Sequence, residues 1–486
     1  MRLLELIDEG KSTLRQGWTD VEINGLSADS RDVRPGYLFA AIPGTFVDGR
    51  NYIDAAIAAG ASAILAPDGT EPPAANENIP LITDANPRRR LAQMAARFFG
   101  QQPENVVAVT GTNGKTSVAH FVQQLWTLIG VKAASLGTLG VMGPGLPKGG
   151  SLTTPDPVAL QKTLSDLKAD QFDHLCMEAS SHGIDQNRLD GVKIKAAAYT
   201  NLSRDHLDYH QTFDAYREAK LRLFRDLLSK GGTIVANAEI NEVDSLRQIA
   251  DERALAITTY GLDTGDIFAE SRSLTSNGWS LKLRAFDTIY KAELLLPGTF
   301  QIVNVLAAVG LLHACGANIA ELIAQLPKLH GVPGRMQHVG ATAQGSAVYV
   351  DYAHTPDALD TVLKSIRPHT VNKLVVIFGC GGDRDRGKRP QMGTIACNLA
   401  DKVDVTDDNP RGENSAMIRS EIMATCNGAT EIADRKQAIK TTVRALGPGD
   451  TLIIAGKGHE TGQIVGNTVH PFDDFEVAYA ALGGAR

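Results

Sequence analysis

The segment VVAVTGTNGKTS, Val106 to Ser117, decides the fold because three kinds of structure follow one another within it. Its apolar start predicts a buried strand, GTNG predicts a glycine-rich loop, and the residues from Lys115 onward predict a helix. Gly111 and Gly114 let backbone N–H groups approach phosphate oxygens, and the start of the helix favours anions. The segment therefore predicts an α/β protein that binds a nucleotide.

The loop departs from the usual GxxxxGK[ST] spacing, since Val109 stands where the first glycine belongs. Lys115 would still reach the β and γ phosphates, and the Thr116 hydroxyl would hold Mg²⁺. We expect the phosphates to contact the whole loop and the first helical residues: Gly111, Thr112, Asn113, Gly114, Lys115, Thr116 and Ser117.

Bulk properties narrow the class of protein. A chain of 486 residues suits about three domains, and a net charge of −7 argues against nucleic acid as the main partner. No apolar run approaches the ~20 residues of a membrane helix, and MRLLELIDEG lacks the features of a signal peptide. The five cysteines form no CxxC pair, which favours buried, reduced thiols and no zinc site. We therefore expect a cytoplasmic protein without membrane insertion.

Strand-like and helical patterns alternate throughout, which predicts α/β domains. The segment HGVPGRMQ, residues 330–337, combines proline with two glycines and is typical of a hinge. We predict domains at residues 1–90, 91–330 and 331–486.

The last domain contains three apolar strands, each followed by a polar cluster. KLVVIFG precedes CGGDRDRGKRP, KVDVT precedes DDNPRGEN, and TLIIAG precedes KGHE. Parallel strands of such a sheet place their carboxyl ends at one edge, where ligands bind. We therefore expect Arg384, Arg411 and Glu460 to converge, although an isolated Asp-Asn-Pro-Arg turn would more often be a solvated loop.

The helix predicted for FDAYREAKLRLF places a lysine on its apolar face. Phe213, Tyr216, Leu223 and Phe224 form one stripe with Lys220 in its middle. The Lys220 ammonium could escape to water at the end of its flexible stem. Alternatively, burial lowers its pKa and leaves a neutral amine that captures carbon dioxide as a carbamate, an oxygen ligand suited to Mg²⁺.

Two further side chains could serve the same metal. Glu178 ends the apolar strand HLCME, and an acid beside a phosphate loop commonly holds Mg²⁺. His206 shortly follows the strand KAAAYT, whereas His182 and His210 are predicted to be structural.

Taken together, these motifs resemble those of the Mur ligase superfamily over essentially the full length of the chain. One departure is Gln301 in GTFQIVN, where the family commonly has asparagine. The resemblance is carried by the following segments: GTNGKTS, TTPDP, MEASSHGIDQNR, TNLSRDHLDYH, YREAKLRLF, GRMQ, DYAHTPDAL, GCGGDRDRGKRP, DNPRGE and GKGHE.

The resemblance implies a small α/β UDP-binding domain, a central P-loop ATPase-type parallel sheet and a C-terminal Rossmann-like domain. It implies a peptidoglycan-synthesis ligase with ATP as co-substrate and two Mg²⁺ ions. The implied partners are UDP-N-acetylmuramoyl-L-alanyl-D-glutamate and meso-2,6-diaminopimelate, joined through an acyl phosphate.

It also implies roles for residues matched to the family's motifs. Lys115, Glu178, His206 and Lys220 would be catalytic, with the metals held by Thr116, Glu178, His206 and Lys220 as N6-carboxylysine. The remaining ATP contacts would be Asn304, Arg335 and Asp351. The nucleotide-sugar site would contain Ala28, Ser30, Thr45, Phe46, Val47, Thr153, Thr154, Ser180, Gln186 and Arg188. The diaminopimelate site would contain Arg384, Asp408, Asn409, Pro410, Arg411, Gly456 and Glu460.

Three alternatives remain at this level. A lysine-adding relative would share most motifs, and the folylpolyglutamate synthetase branch shares the loop and the modified lysine. A homologue that kept the fold as a non-catalytic scaffold is the third.

Overall fold

The computed structural model describes residues 1–7, 18–44, 47–72, 78–146, 152–275 and 278–484 of the chain. It is an α/β protein in which three main sheets follow one another along the sequence. This confirms the predicted fold class.

The first sheet contains four of the described strands, all parallel, in the order β1-β2-β3-β4. Helix α3 packs on it because Leu91, Met94 and Ala95 recur at helical spacing and are buried with the sheet residues. Asn86 caps α3 through a hydrogen bond from the Arg89 N–H, and Pro87 occupies its first turn. The bounds are β1 Gly25–Ser27, β2 Tyr37–Ala40, β3 Ala63–Pro67, β4 Leu81–Asp84, α1 Leu3–Ile7, α2 Ile53–Ala58 and α3 Pro87–Phe99.

The second sheet has ten strands within the described ranges, in the order β14-β13-β12-β11-β10-β9-β5-β8-β6-β7. Neighbouring strands from β12 to β6 in this order pair in parallel, whereas the pairs β6–β7, β12–β13 and β13–β14 are antiparallel. The strands are β5 Asn105–Thr110, β6 Ala133–Gly137, β7 Gly140–Met142, β8 His174–Glu178, β9 Ile194–Tyr199, β10 Leu228–Asn237, β11 Ala256–Gly261, β12 Ile267–Thr275, β13 Gly278–Ala285 and β14 Thr288–Leu294.

The helices of this domain cover both faces of the sheet. They are α4 Lys115–Leu128, α5 Pro157–Ala169, α6 Ser181–Asp185, α7 Leu207–His210, α8 Phe213–Arg222, α9 Val243–Arg253, α10 Thr299–Ala314 and α11 Ile319–Gln325. Strand β5 lies between β8 and β9, and Val106 to Val109 are fully buried. A continuous apolar run is what a strand covered on both faces requires. The glycine-rich loop of residues 111–114, called the phosphate loop below, therefore leaves the middle of the sheet at its carboxyl edge.

The third sheet contains six described strands in the order β15-β16-β20-β17-β18-β19, parallel except for β15. This confirms the predicted succession of parallel strands. The elements are β15 Gln337–Ala341, β16 Ala347–Asp351, β17 Leu374–Phe378, β18 Lys402–Val405, β19 Thr430–Glu431, β20 Thr451–Ala455, α12 Pro356–Ile366, α13 Lys388–Leu399, α14 Ser415–Met423, α15 Arg435–Arg444 and α16 Asp474–Ala481. An antiparallel hairpin, β21 Gly462–Val465 and β22 Thr468–Pro471, precedes α16.

The predicted domain boundaries at residues 90 and 330 stay predictions. The first falls within α3, whose residues pack on the first sheet but whose chain continues toward the second domain.

Two sequence expectations concern the environment of the protein. No helix among the described residues is long and apolar enough to cross a membrane. All five cysteines are free thiols, with Cys176, Cys380 and Cys426 buried but Cys315 and Cys397 only half-buried.

Candidate active site

The phosphate loop is shaped by close backbone approach at its two glycines. Gly111 has φ +145°, and a Cβ there would lie 1.9 Å from Thr200 Oγ1. Gly114 has φ +88° and begins α4 without a side-chain cap. The first amide groups of the helix therefore remain available to an anion.

Two lysine side chains converge on the Gly111 carbonyl oxygen. Lys115 Nζ donates to it at 2.8 Å and also to Thr112 O at 2.8 Å. Lys220 Nζ donates to the same Gly111 oxygen at 2.9 Å and lies 4.2 Å from the centre of the Tyr216 ring. Burial lowers the pKa of Lys115, and burial followed by the nearby Lys115 charge holds the pKa of Lys220 well below its ordinary value.

The position of Lys220 decides between its two interpretations. The side chain is 1% exposed, so its amine does not reach water and the snorkelling alternative is wrong. The predicted apolar stripe needs one correction, because Phe213 is 43% exposed at the start of α8. The α-helix also ends at Arg222, and residues Leu223–Leu227 form a π-helical turn.

Hydroxyl and carboxylate oxygens gather beside the loop. Thr116 Oγ1 donates to Glu178 Oε2 at 3.1 Å, and Glu178 Oε1 accepts the Thr138 N–H at 2.8 Å. Mg²⁺ in nucleotide sites is commonly held by one or two such side chains, water and substrate phosphates. The oxygen set therefore fits the predicted ion, although the described residues contain no group of three or more His, Cys, Asp or Glu that could hold a metal by itself.

His206 lies at the rim of the same space, as the residue before α7, with φ +53°. Its Nε2 is 3.4 Å from Asp205 Oδ2, and its ring centre is 4.8 Å from that of His182. His210 is buried and its ring lies 5.2 Å from that of Tyr216. The second predicted metal site thus has His206, just before α7, and Lys220 of α8 on either side of Tyr216. Asp205, which the sequence prediction did not include, lies beside them.

The residues predicted for adenine and ribose come from both sides of the domain junction. A Cβ on Gly114 would lie 2.6 Å from Asn304 Oδ1, and Asn304 is buried. Arg335 lies 4.3 Å above the Tyr352 ring. Both carboxylate oxygens of Asp351 accept backbone N–H groups at 2.7 Å, from Met336 and Ala353. Asp351 therefore has a structural role in this loop whatever else it binds.

One cavity of about 430 Å³ joins these groups. Its wall includes the phosphate loop, the metal candidates and the start of α12, with contributions from the central and C-terminal domains. A hydrogen bond of 3.0 Å from Asn113 Nδ2 to Asp357 Oδ2 crosses the cavity's domain junction. Gln301 is fully buried outside this wall, and its amide has no hydrogen-bond partner in the described part of the chain.

The residues predicted to bind the nucleotide-sugar divide into two groups. Thr153 and Ser180 line the cavity, Thr154 donates to Glu178 O, and Arg188 donates to Thr154 O. Gln186 accepts from Arg188 at 2.7 Å, so this group is connected. The second group, Ala28, Ser30 and the exposed Val47, lies in the first domain and outside the cavity wall. Thr45 and Phe46 lie outside the described residues.

The predicted amino-acid residues come together at the carboxyl edge of the third sheet. Asn409 Nδ2 donates to Glu460 Oε2 at 2.8 Å, and a Cβ on Gly456 would lie 2.8 Å from Asp408 Oδ2. Arg411 Nη1 donates to Gly382 O at 3.0 Å. The remaining predicted members flank the same loops: Arg384, whose Nη1 donates to Asp383 O, and Pro410, whose carbonyl accepts from Glu413 N.

Sequence reasoning missed the buried charges behind this cluster. Lys457 is fully buried and donates to Asn409 Oδ1 at 2.9 Å and Glu460 Oε2 at 2.8 Å. Arg389 is also fully buried and binds both oxygens of Glu413. The available signal was only the charge of GKGHE and of GKRP, which reveals neither the burial of Lys457 and Arg389 nor their distant partners Asn409 and Glu413.

The GKGHE segment also connects the amino-acid cluster to the nucleotide cavity. His459 Nδ1 is 3.5 Å from Arg335 Nη1, and the His459 ring centre is 5.3 Å from that of Tyr352. Glu460, the next residue, faces Asn409. Two adjacent residues of one loop therefore contact different sites: His459 faces the nucleotide cavity, and Glu460 faces the amino-acid cluster.

The chain is similar to known proteins over nearly its whole length. Three family profiles match successive parts of the chain: Mur ligase family, catalytic domain, at residues 22–99; Mur ligase middle domain at 109–312; and Mur ligase, glutamate ligase domain, at 334–458. A UDP-N-acetylmuramoyl-L-alanyl-D-glutamate--2,6-diaminopimelate ligase of Rhizobium meliloti (strain 1021) is 50% identical, covering 96% of this chain and 95% of the relative.

Another protein with that name, from Brucella melitensis biotype 1, is 49% identical over 95% of this chain and 94% of its own length. A solved structure of a UDP-N-acetylmuramoyl-L-alanyl-D-glutamate--2,6-diaminopimelate ligase has a TM-score of 0.72 and 33% identity, with 99% of both chains covered.

Fold and site define a three-domain α/β protein with a phosphate-binding loop at the junction between its domains. The chain belongs to the Mur ligase family.

The buried Lys220 should carry a carbamate in the active protein. A neutral amine adds to carbon dioxide, forming an N–C bond and releasing one proton. We expect a carbamate signal by ¹³C NMR in protein equilibrated with ¹³CO₂, and its absence in Lys220→Ala. That variant should lose most activity, with partial recovery in a short carboxylic acid. The exposed Lys162, varied to Ala, is the control, and an unchanged signal in Lys220→Ala would refute the assignment.

Glu413 should stabilise the C-terminal domain in a pH-dependent way. Hydrogen bonds from Arg389 lower its pKa to about 2 against the opposing effect of burial. A lowered folded-state pKa gives stability that is present above the unfolded pKa and lost as pH falls towards 2. Glu413→Gln should reduce the free energy of unfolding at pH 7 by about 1–3 kcal/mol. Urea unfolding should show this deficit shrinking below about pH 4.5, with the exposed Glu71→Gln as control. A pH-independent deficit would contradict it.

Proposed function

We propose that this chain is an ATP-dependent ligase that joins meso-2,6-diaminopimelate to the D-glutamate γ-carboxylate of UDP-N-acetylmuramoyl-L-alanyl-D-glutamate. The observation that carries the proposal is near-full-length identity of about one half to proteins bearing that name. The side-chain clusters of the site supply a matching chemistry. The step belongs to peptidoglycan synthesis, and we expect it in the cytoplasm.

The reaction needs activation because an ionised carboxylate is a poor electrophile. A carboxylate oxygen attacks the γ phosphorus of ATP, and ADP leaves. The amine of the diamino acid then attacks the acyl carbon, loses a proton and expels phosphate. Negative charge develops around the transferred group, so the Lys115 charge and the amides at the start of α4 stabilise it.

Mg²⁺ would add further positive charge at the phosphates when bound. Thr116 and Glu178 fit one ion, and His206 with Lys220 as N6-carboxylysine would place a second. Arg335 approaches the same space from the C-terminal domain, with Nη2 at 3.5 Å from Thr116 Oγ1. A cation from each domain therefore faces the position of the phosphates.

The nucleotide-sugar would extend from the first domain to this centre. Ala28, Ser30 and the segment 45–47 suit its uridine end by their match to the family. Thr153, Thr154, Ser180, Gln186 and Arg188 would contact its remaining parts, since they lie beside Glu178. This orientation brings the D-glutamate end to the phosphate loop.

The diamino acid would lie between the DNPRGE and GKGHE segments. Asp408 and Glu460 supply negative charge for its ammonium groups. Among the described residues, hydrogen bonds of the Arg411 guanidinium use only Nη1, to Gly382 O and Asn409 O. Nε and Nη2 are then left to bind the distal carboxylate of diaminopimelate, a group that lysine lacks.

The enzyme should release ADP only when the UDP-muramoyl dipeptide and Mg²⁺ are both present, and repeated turnover should also need a diamino acid. The acyl phosphate requires the dipeptide carboxylate, and its productive consumption requires the amine. An ADP-release assay with each component omitted in turn, and with a panel of diamino acids, tests this. Equal turnover without the dipeptide would refute the ligase proposal. Turnover with lysine but with no other diamino acid of the panel would favour a lysine-adding enzyme.

Arg411 should decide which amino acid is added. Losing one partner of a desolvated charge pair costs on the order of 2–5 kcal/mol, or roughly 30- to several-thousand-fold in specificity constant. Arg411→Ala should weaken diaminopimelate by that factor, barely change the KM for ATP and reduce discrimination against L-lysine. Specificity constants for both amino acids measure this, with the exposed Arg444→Ala as control. An unchanged ratio would remove Arg411 from the selector role.

A further inference from the structure

The backbone of Arg411 adopts a conformation that residues with a side chain rarely take. Its φ is +50°, in the left-handed region. Within the segment, Glu413 N donates to Pro410 O at 3.0 Å and closes a turn around Arg411 and Gly412, while the proline restricts Asn409 rather than Arg411. Contacts from outside the segment restrain the two peptide groups of Arg411 itself.

The β21–β22 hairpin supplies that restraint. Arg411 N donates to Ile464 O at 3.1 Å, and Gly466 N donates to Arg411 O at 2.8 Å. The peptide groups on both sides of the Arg411 Cα are thus bonded to strand β21 or to the turn after it.

The same strand holds the residues that precede Arg411. Gln463 Nε2 donates to Asp408 O at 2.7 Å, and Ile464 N donates to Asn409 Oδ1 at 2.9 Å. Four hydrogen bonds therefore join residues 463–466 to residues 408–411. A segment that only covered the core would instead bury apolar side chains, yet Val465 and Val469 are 46% and 64% exposed.

We propose that the β21–β22 hairpin is a specificity-determining clamp that orients Arg411 toward the distal carboxylate of the amino-acid substrate. Gln463 and Gly466 are its positioning residues, since they act through the 408–411 loop. This inference rests on the proposed function, because it assigns the clamp to the pocket that selects a diamino acid with a second carboxylate.

The orientation matters because the guanidinium is a planar fork. Two parallel N–H···O bonds to a carboxylate form only when the fork and the carboxylate share a plane. Release of the Arg411 backbone from the left-handed region would rotate the side chain away from the Gly382 carbonyl that now receives Nη1. The loss of binding should then affect the second carboxylate of the amino acid rather than ATP or the dipeptide.

Two variants remove single donors of the clamp. Gln463→Glu keeps the size of the side chain but cannot donate to Asp408 O. Gly466→Pro removes the N–H that bonds Arg411 O and cannot adopt the φ of +57° found there. Gly466→Asn is the conservative counterpart, because asparagine keeps the N–H, tolerates positive φ, and enters open space. Thr468→Ala, on the outer strand β22, is the control on the hairpin itself.

The experiment measures KM and kcat for meso-diaminopimelate, L-lysine, ATP and the UDP-dipeptide, with the thermal midpoint of each variant. Gln463→Glu and Gly466→Pro should raise the KM for meso-diaminopimelate roughly tenfold, as loss of a hydrogen bond to a fixed group predicts. The KM values for ATP and the dipeptide should stay within about twofold, and the diaminopimelate-to-lysine ratio should fall by a similar roughly tenfold factor. Gly466→Asn and Thr468→Ala should retain the wild-type ratio.

An unchanged ratio in both donor-removing variants would overturn the clamp, as would equal losses for ATP and diaminopimelate. If Gly466→Pro fails to fold, Gln463→Glu decides by itself. The wild-type protein is the separate test of the proposed function: without ADP release dependent on diaminopimelate, that function fails. If the wild type is active and the variants keep its ratio, only the clamp fails.

Discussion

The arrangement of the site depends on one carbonyl oxygen, that of Gly111, which receives both Lys115 and Lys220. Two ammonium groups bound to the same oxygen inside a protein repel each other, and burial penalises each charge separately. The pair is compatible with a folded state when one amine is neutral or when anions arrive beside them. A phosphate against Lys115 and a carbamate on Lys220 would each relieve the repulsion.

A second constraint is that the proposed phosphate site and the proposed amino-acid site are held on different domains. The phosphate loop ends a strand of the central sheet, whereas Arg335, His459 and Glu460 come from the C-terminal domain. GKGHE is the physical connection, since His459 contacts Arg335 and Glu460 contacts Asn409. A conformational change in the nucleotide cavity or in the amino-acid cluster would therefore be transmitted to the other through these two adjacent residues.

Local patterns predicted much of the fold. KLVVIFG and TLIIAG are apolar runs bounded by polar residues, and they became β17 and β20 in the middle of a parallel sheet. The phosphate loop was predictable because glycine and lysine act there through their own backbone and charge. The contribution of Thr138 to the site was not predictable, because it consists of a hydrogen bond to Glu178, 40 residues away. Arg389 and Lys457 were missed for the same reason, since their contacts with Glu413 and Asn409 join segments 24 and 48 residues apart.

The backbone of Arg411 shows the limit of what a local sequence motif can predict. An Asn-Pro turn stiffens the chain before an arginine, and the sequence alone predicts that this stiffness fixes the guanidinium. The structure instead has Arg411 at φ +50°, a conformation that proline at the preceding position does not impose. A separate hairpin, about 55 residues further along the chain, bonds both of its peptide groups. The backbone conformation of Arg411 is thus a property of two segments packed together, and neither segment encodes it alone.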